Sequence, residues 1–402
     1  MRAPLNPALV KRILVIKLRH IGDVLLTVPV FRALKETFPA AHCTALVNAG
    51  TEEVLRGNPL VDDILVFDRS IKGASLLRRY LGEASFYRSV RDRGFDMTVD
   101  LTSGDRPALL SFLSGARYRL AADPRGAGFI GKKHLYTHLA PVDGRRHMVL
   151  QNLDVVRHCG ITTEDLSVDF FIPEEAKRFV RGIFEEHGIR DSDTVVHIHP
   201  TSRWFFKCWK DESMAEVIGW LVNQGIKTVV TSSPAQKEIE KTERILSLVP
   251  LHALPGALSH LVVLCGRTTL KQLGALSAAA DLFFGVDSAP MHMAAAVGTP
   301  VLALFGPSGV PNWGPWDEQA PHAYGRKSGV QKTERHTVLQ SDRECVPCGR
   351  DGCNGSKKSD CLESITVPEV EEALREKIGG MPKQHARPTR PTRFDGPIPK
   401  SI

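Results

Sequence analysis

Along nearly the whole chain, short apolar runs alternate with segments whose apolar residues recur every three or four positions. Runs that stay apolar at successive positions suit strands buried on both faces, and helical spacing between them is the pattern of a parallel α/β protein. Residues 13–18 predict the first strand, and Val24, Leu25, Phe31, Leu34 and Phe38 then fall on one helical face. Pro29 interrupts that helix and implies a kink or a late start. Strands are expected at 43–47, 64–67 and 97–101 with helices between them, followed by a helix over 148–158 that stops at Gly160. The pattern restarts after Asp191-Ser192-Asp193, with strands at 195–198, 227–231, 261–264, 282–284 and 301–305 and a helix over 212–223 ended by Gly225. Two consecutive units of this kind predict twin Rossmann-like domains with parallel sheets facing a cleft. The first is expected over 1–166, a connection over 167–192 and the second over 193–366. A final helix is expected over 367–378 and a disordered tail over 379–402.

Composition narrows the class. A chain of 402 residues, 42% hydrophobic and 24% charged, is globular and long enough for two cores. No apolar run approaches the roughly 20 residues that span a bilayer. The N-terminal apolar stretch is broken by Lys17 and followed by Arg19 and His20, unlike a cleaved signal. The protein is therefore expected in the cytoplasm, with its eight cysteines reduced. Much of the net charge of +7 comes from the Pro-rich tail. The remainder is near neutral, which argues against a nucleic-acid partner. Basic pairs at Arg78-Arg79, Lys132-Lys133 and Arg145-Arg146 suit anionic lipid or sugar phosphates, or simply a solvated surface.

Three segments carry candidate chemistry. The first, Lys17-Leu-Arg-His-Ile-Gly-Asp23, follows the first strand directly. Asp23 there is placed to accept a proton from a sugar hydroxyl, and is equally suited to capping the next helix. The second is Pro200-Thr-Ser-Arg-Trp-Phe-Phe-Lys-Cys-Trp209. Hydroxyls of Thr201 and Ser202 with cations at Arg203 and Lys207 suit a departing pyrophosphate, while Trp204, Phe205 and Trp209 suit interface packing or a sugar pocket. The third, Phe284-Gly-Val-Asp-Ser-Ala-Pro-Met-His292, opens a helix of small residues whose N-terminus offers backbone N–H groups to a phosphate. Asp287 and Ser288 compete for the capping position, and His292 lies one turn in, on the face of Ser288. The glycine fingerprint of dinucleotide binding is missing, which weakens any hydride-transfer function.

Together the three segments resemble glycosyltransferase family 9, the ADP-heptose:lipopolysaccharide heptosyltransferases. Arg19-His-Ile-Gly-Asp-Val-Leu-Leu-Thr-Val-Pro29, Pro-Thr-Ser-Arg with Lys-Cys-Trp, Gly-Val-Asp-Ser-Ala-Pro-Met-His and Phe305-Gly-Pro-Ser308 carry the resemblance over roughly residues 10 to 375. The Lys207-Cys208-Trp209 form resembles the branch that adds a side-branch heptose. The resemblance implies a GT-B fold, with acceptor bound mainly by the first domain, donor by the second, and the last helix returning toward the first. It implies inverting, metal-independent transfer of heptose from ADP-heptose to the lipopolysaccharide inner core, with transient contact at the inner face of the inner membrane. It makes Asp23 the general base. Thr201, Ser202, Lys207, Glu238, Asp287, Ser288, Ala289 and His292 become donor-binding residues.

Cys345, Cys348, Cys353 and Cys361 concentrate four of the eight cysteines in seventeen residues. Four thiolates would suffice for a closed structural zinc site, and small buried residues are the plainer alternative. Two other functions fit the same segments: heptosyl transfer to a protein or another glycan, and nucleotide-sugar binding without turnover.

Overall fold

The computed structural model describes residues 5–68, 76–250 and 257–380, and the chain divides into two compact units between Val168 and Asp169. The expected tail from residue 381, and Arg78-Arg79 as side chains, lie outside what is described.

In the first unit, β1 (Arg12–Lys17) leads through α1 (Ile21–Leu25) and α2 (Val28–Thr37) to β2 (His42–Asn48) and β3 (Asp63–Phe67). Then come α3 (Leu76–Asp92), β4 (Met97–Asp100), α4 (Asp105–Leu113), β5 (Tyr118–Ala122), β6 (His138–Ala140) and α5 (Met148–Arg157). The six strands lie in the order β3-β2-β1-β4-β5-β6, all parallel. Strand order reverses between β1 and β4, the place where open parallel sheets bind ligands past their carboxyl ends. The first strand is apolar at successive positions because Ile13, Leu14, Val15 and Ile16 are buried on both faces. Pro29 divides the expected single helix: α1 ends at Leu25, and Pro29 stands in the first turn of α2, where its missing N–H costs nothing.

The second unit opens with α6 (Glu174–Glu186), then β7 (Val195–His199), α7 (Asp211–Asn223), β8 (Lys227–Ser232), α8 (Gln236–Ser247) and β9 (Leu261–Cys265). It continues with α9 (Leu270–Ala279), β10 (Leu282–Val286), α10 (Ala289–Ala296), β11 (Val301–Phe305) and α11 (Val310–Trp313). β12 (Gln331–Lys332), β13 (His336–Gln340), α12 (Asp360–Glu363) and α13 (Val367–Gly379) complete it. The sheet order is β12-β13-β11-β10-β7-β8-β9, parallel except for the edge strand β12. Strand order reverses again, here between β7 and β10. A Cβ on Gly285 would stand 2.7 Å from the His199 carbonyl, so glycine is required where these two strands end side by side.

One stretch sits differently from the sequence expectation. Residues expected as a connection are built into the second unit: α6 packs on α9, and the Phe170 ring fills the space a Cβ on Gly274 would need. The final helix packs on α7, with Val370 and Leu374 in the second unit's core. Its Thr366 cap and Glu369 form a reciprocal capping box. Strands β5, β6 and β13 were not evident in the sequence, because each is short and carries Arg, His or Gln among its apolar positions.

Candidate functional site

Both groups of candidate residues lie just past the carboxyl ends of central strands, each within its own unit. In the first unit the chain leaving β1 is tied to its neighbours. Leu18 donates its N–H to Thr102 Oγ1 (2.8 Å), Asn48 donates to the Arg19 carbonyl (2.9 Å), and the Arg19 guanidinium donates to the Thr102 carbonyl (3.2 Å). Asp23 stands in the first turn of α1, half-buried, and its Oδ2 accepts from the His20 backbone N–H at 3.4 Å. His20, not Asp23, holds the capping position, and Asp23 inside the first turn returns only a long contact to it. That contact uses one carboxylate oxygen and leaves the other capable of accepting a proton. Gly22 is buried inside α1 rather than at a turn.

The lysine that opens this segment, Lys17, is buried and feels the Asp23 charge. Lys17 Nζ donates to the Leu101 carbonyl (2.9 Å) and to Asn152 Oδ1 (3.1 Å), and Asn152 in turn donates to the Leu26 carbonyl at the end of α1 (3.1 Å). Burial pushes the Lys17 ammonium down to about 8, an effect that the Asp23 and Asp100 charges oppose and Arg19 reinforces. At the end of β4, Asp100 is fully buried. Its carboxylate accepts from Tyr136 Oη (2.5 Å) and from the backbone of Thr102 and Ser103, while burial raises both its pKa and that of Tyr136. A carboxylate ending an otherwise apolar strand was the available sequence signal for this group.

In the second unit, Thr201 and Ser202 follow β7 and are buried. Thr201 Oγ1 donates to Glu238 Oε2 at 3.1 Å, joining the loop to α8. Lys207 ends a short turn of 3-10 helix, and its Nζ meets Asp287 Oδ2 at 2.6 Å. Lysine and aspartate, eighty positions apart, thus converge at the end of β10. Asp287 is spent on Lys207 rather than on capping α10. Ser288 occupies the capping position without a side-chain cap bond, and its buried Oγ makes no hydrogen bond among the described residues. Ala289 is the first residue of α10, and His292 is buried one turn in. The start of α10 therefore combines backbone N–H groups, a buried hydroxyl and a neighbouring ammonium, a set matched to anionic oxygen. Behind it, burial lowers His199 to about 4, so the imidazole is neutral and pairs with Thr231 Oγ1 at 2.9 Å.

The aromatics of this loop divide. Trp209 is buried and donates to the Ile365 carbonyl (3.1 Å), whereas Trp204 and Phe205 are exposed, with the Lys237 and Lys241 ammonium groups over the Phe205 ring. The cysteine loop is open at one end. Cys345 and Cys348 are exposed, Cys353 half-buried and Cys361 buried in α12, all as free thiols. Among the described residues, no three His, Cys, Asp or Glu side chains are placed to hold a metal ion.

The chain was compared with known proteins. The model of glycosyltransferase family 9 (heptosyltransferase) matches residues 84–341. Lipopolysaccharide heptosyltransferase 3 of Escherichia coli (strain K12) is 34% identical over 303 residues, 75% of this chain and 84% of that relative. Among solved structures, a family 9 glycosyl transferase from Veillonella parvula DSM 2008 superposes with a TM-score of 0.72 at 22% identity, covering 92% of this chain and 98% of that one. E. coli heptosyltransferase WaaC with ADP-2-deoxy-2-fluoro heptose superposes with a TM-score of 0.65 at 18% identity, covering 91% and 99%. These two likenesses extend the agreement to the fold, α/β with two mainly parallel sheets. The family match over most of the chain and the identity to a curated relative lead to one conclusion: this protein belongs to glycosyltransferase family 9, the heptosyltransferases.

Proposed function

We propose that this glycosyltransferase transfers a heptose from ADP-heptose to the inner core of lipopolysaccharide, with inversion at the anomeric carbon and without a metal. The observation that carries it is the start of α10, where the Lys207–Asp287 pair (2.6 Å) and the buried Ser288 hydroxyl flank the helix N-terminus. A nucleoside diphosphate leaving group gains charge as its glycosidic bond breaks, and fixed N–H groups and an ammonium stabilise that charge more in the transition state than before it. Thr201, Ser202 and Glu238, joined by the Thr201–Glu238 hydrogen bond, belong to the same donor region, with Ala289 and His292 on the helix itself. Asp23 removes the acceptor hydroxyl's proton as the oxygen attacks from the face opposite the departing ADP. The donor and acceptor classes follow those named for the relatives, an ADP-heptose analogue for WaaC and lipopolysaccharide for heptosyltransferase 3. A lipid-borne acceptor brings the protein to a membrane surface; among the described residues no helix is long and apolar enough to cross one.

Calorimetric titration of ADP, ADP-heptose and UDP-sugars, followed by transfer to a heptose-truncated core acceptor, tests the proposal. Binding that prefers ADP, and a product linkage of opposite anomeric configuration to the donor, are expected. Preference for another nucleotide would remove heptose from the answer. Retention of configuration would remove the direct displacement.

A further inference from the structure

The loop that follows β5, Pro124-Arg-Gly-Ala-Gly-Phe-Ile-Gly-Lys-Lys-His134, has no part in the chemistry above. Its base is pinned. Arg125 donates to the Val142 carbonyl (3.0 Å), and buried Lys132 donates to the Ser103 carbonyl (2.8 Å) while pairing with Asp105 (3.3 Å). Gly126, Gly128 and Gly131 all take positive φ, turning the chain between these anchors. The tip so presented is apolar: Ile130 is 102% exposed, and Phe129 is exposed beside it. α4, which begins at Asp105 against this loop, carries Leu109, Phe112 and Leu113 into solvent as well, with the Arg119 guanidinium over the Phe112 ring.

The flank of this tip is rich in cations, of which Lys132 is paired with Asp105 and Arg106 with Glu83. From Arg106 to Val142 the chain holds six Lys and Arg residues against a single acid, Asp123. Loops in water do not hold a fully exposed isoleucine at their tip for their own stability, since that surface gains nothing until something covers it. The five exposed apolar residues of this loop and α4 are too few to anchor a protein interface of ordinary size. Beside a cationic flank, however, they match a bilayer interface, where side-chain burial adds to attraction between Lys or Arg and anionic headgroups.

We propose that residues 125–133 dock this protein on an anionic membrane, Phe129 and Ile130 entering the headgroup boundary and Arg125 and Lys133 meeting lipid phosphates. The loop follows the carboxyl end of β5, and Asp23 follows the carboxyl end of β1 in the same parallel sheet, so docking here sets the acceptor side of the unit at the bilayer. The proposal rests on the acceptor being carried by a membrane lipid.

The full chain would be floated with vesicles of phosphatidylcholine alone and of phosphatidylcholine with phosphatidylglycerol, beside Phe129→Ser/Ile130→Ser and Arg125→Glu/Lys133→Glu. Transfer to a deacylated, water-soluble acceptor is measured in parallel. Wild type is expected to float with the anionic vesicles, less so as salt rises. Each double variant should lose at least about tenfold of that partition, with soluble-acceptor transfer kept. In Ile130→Trp, emission should shift to the blue on adding anionic vesicles. Floating that neither variant reduces, absence of floating in wild type, or an equal loss of soluble-acceptor transfer would overturn the assignment; the last would make the loop an acceptor subsite. Variant-sensitive floating by a protein that transfers no heptose would overturn the functional proposal alone and leave this surface standing.

Discussion

The two units share a plan and differ in chemistry. In each, strand order reverses beside the first strand of the sheet, between β1 and β4 in one and β7 and β10 in the other. In each, the segments leaving those two strands carry the candidate residues. In the first unit the buried cation, Lys17, is held by neutral acceptors, a carbonyl and an amide oxygen, and Asp23 keeps a carboxylate oxygen available. In the second the cation, Lys207, is paired with a carboxylate beside a helix N-terminus. The shared topology supplies a location past the carboxyl ends of the strands. The side chains placed there differ, and under the proposed function the first location removes a proton while the second holds an anion.

The sharpest way to break this division of labour is Asp23→Ala. Turnover should fall by roughly 10²–10⁴ while ADP-heptose affinity stays unchanged, measured by single-turnover transfer and calorimetry. Unchanged turnover would end the assignment of proton removal to the first unit. Lys207→Ala should do the opposite, weakening donor binding by about 10–100-fold, since it removes a charge-assisted contact and leaves buried Asp287 unpaired. Adding Asp287→Asn should recover part of the loss; a double variant weaker than the single one would show that the aspartate itself contacts donor.

A pH series tests how the buried cation of the first unit is held. Burial sets Lys17 near 8 in the folded protein against 10.5 in the unfolded chain. Between those values the unfolded chain binds more protons, so the contribution of Lys17 to stability improves as pH rises across the window, by about 3 kcal/mol in all. Urea denaturation of wild type and Lys17→Met at pH 7 to 10.5 should show the wild type gaining on the variant over that range. A constant difference would mean that Lys17 is solvated. The smallest effect is expected for Glu238→Gln, which keeps a partner for Thr201 and should cost about 1 kcal/mol of stability. A large loss of nucleotide affinity in that variant would instead place Glu238 against the donor.

Much of this was legible in the residues alone. β1, β10 and β11 announce themselves as apolar runs because a parallel strand is buried on both faces, and Pro29 located the break between α1 and α2. The motifs around Asp23, Lys207 and Asp287 were visible because polar residues directly after such runs have a defined place in the sheet. β5 and β6 escaped notice because short strands carrying Arg119 and His138 lack a distinctive period. Lys17 stands in the same segment as Asp23, but no local pattern marks it as a buried ammonium.

What the sequence by itself determined is the series of strands and helices and the residue types at each strand end, since local burial patterns encode both. Only the tertiary structure decided which of those residues meet. Lys207 and Asp287 are eighty positions apart, and Lys17 of β1 finds Asn152 of α5, because partners are set by strand order and by the helices packed on the sheet rather than by distance along the chain. Likewise the spacing of Cys345, Cys348, Cys353 and Cys361 limits how far apart the thiols can lie. The path of the loop decides how each is exposed, because short side chains go where the backbone carries them.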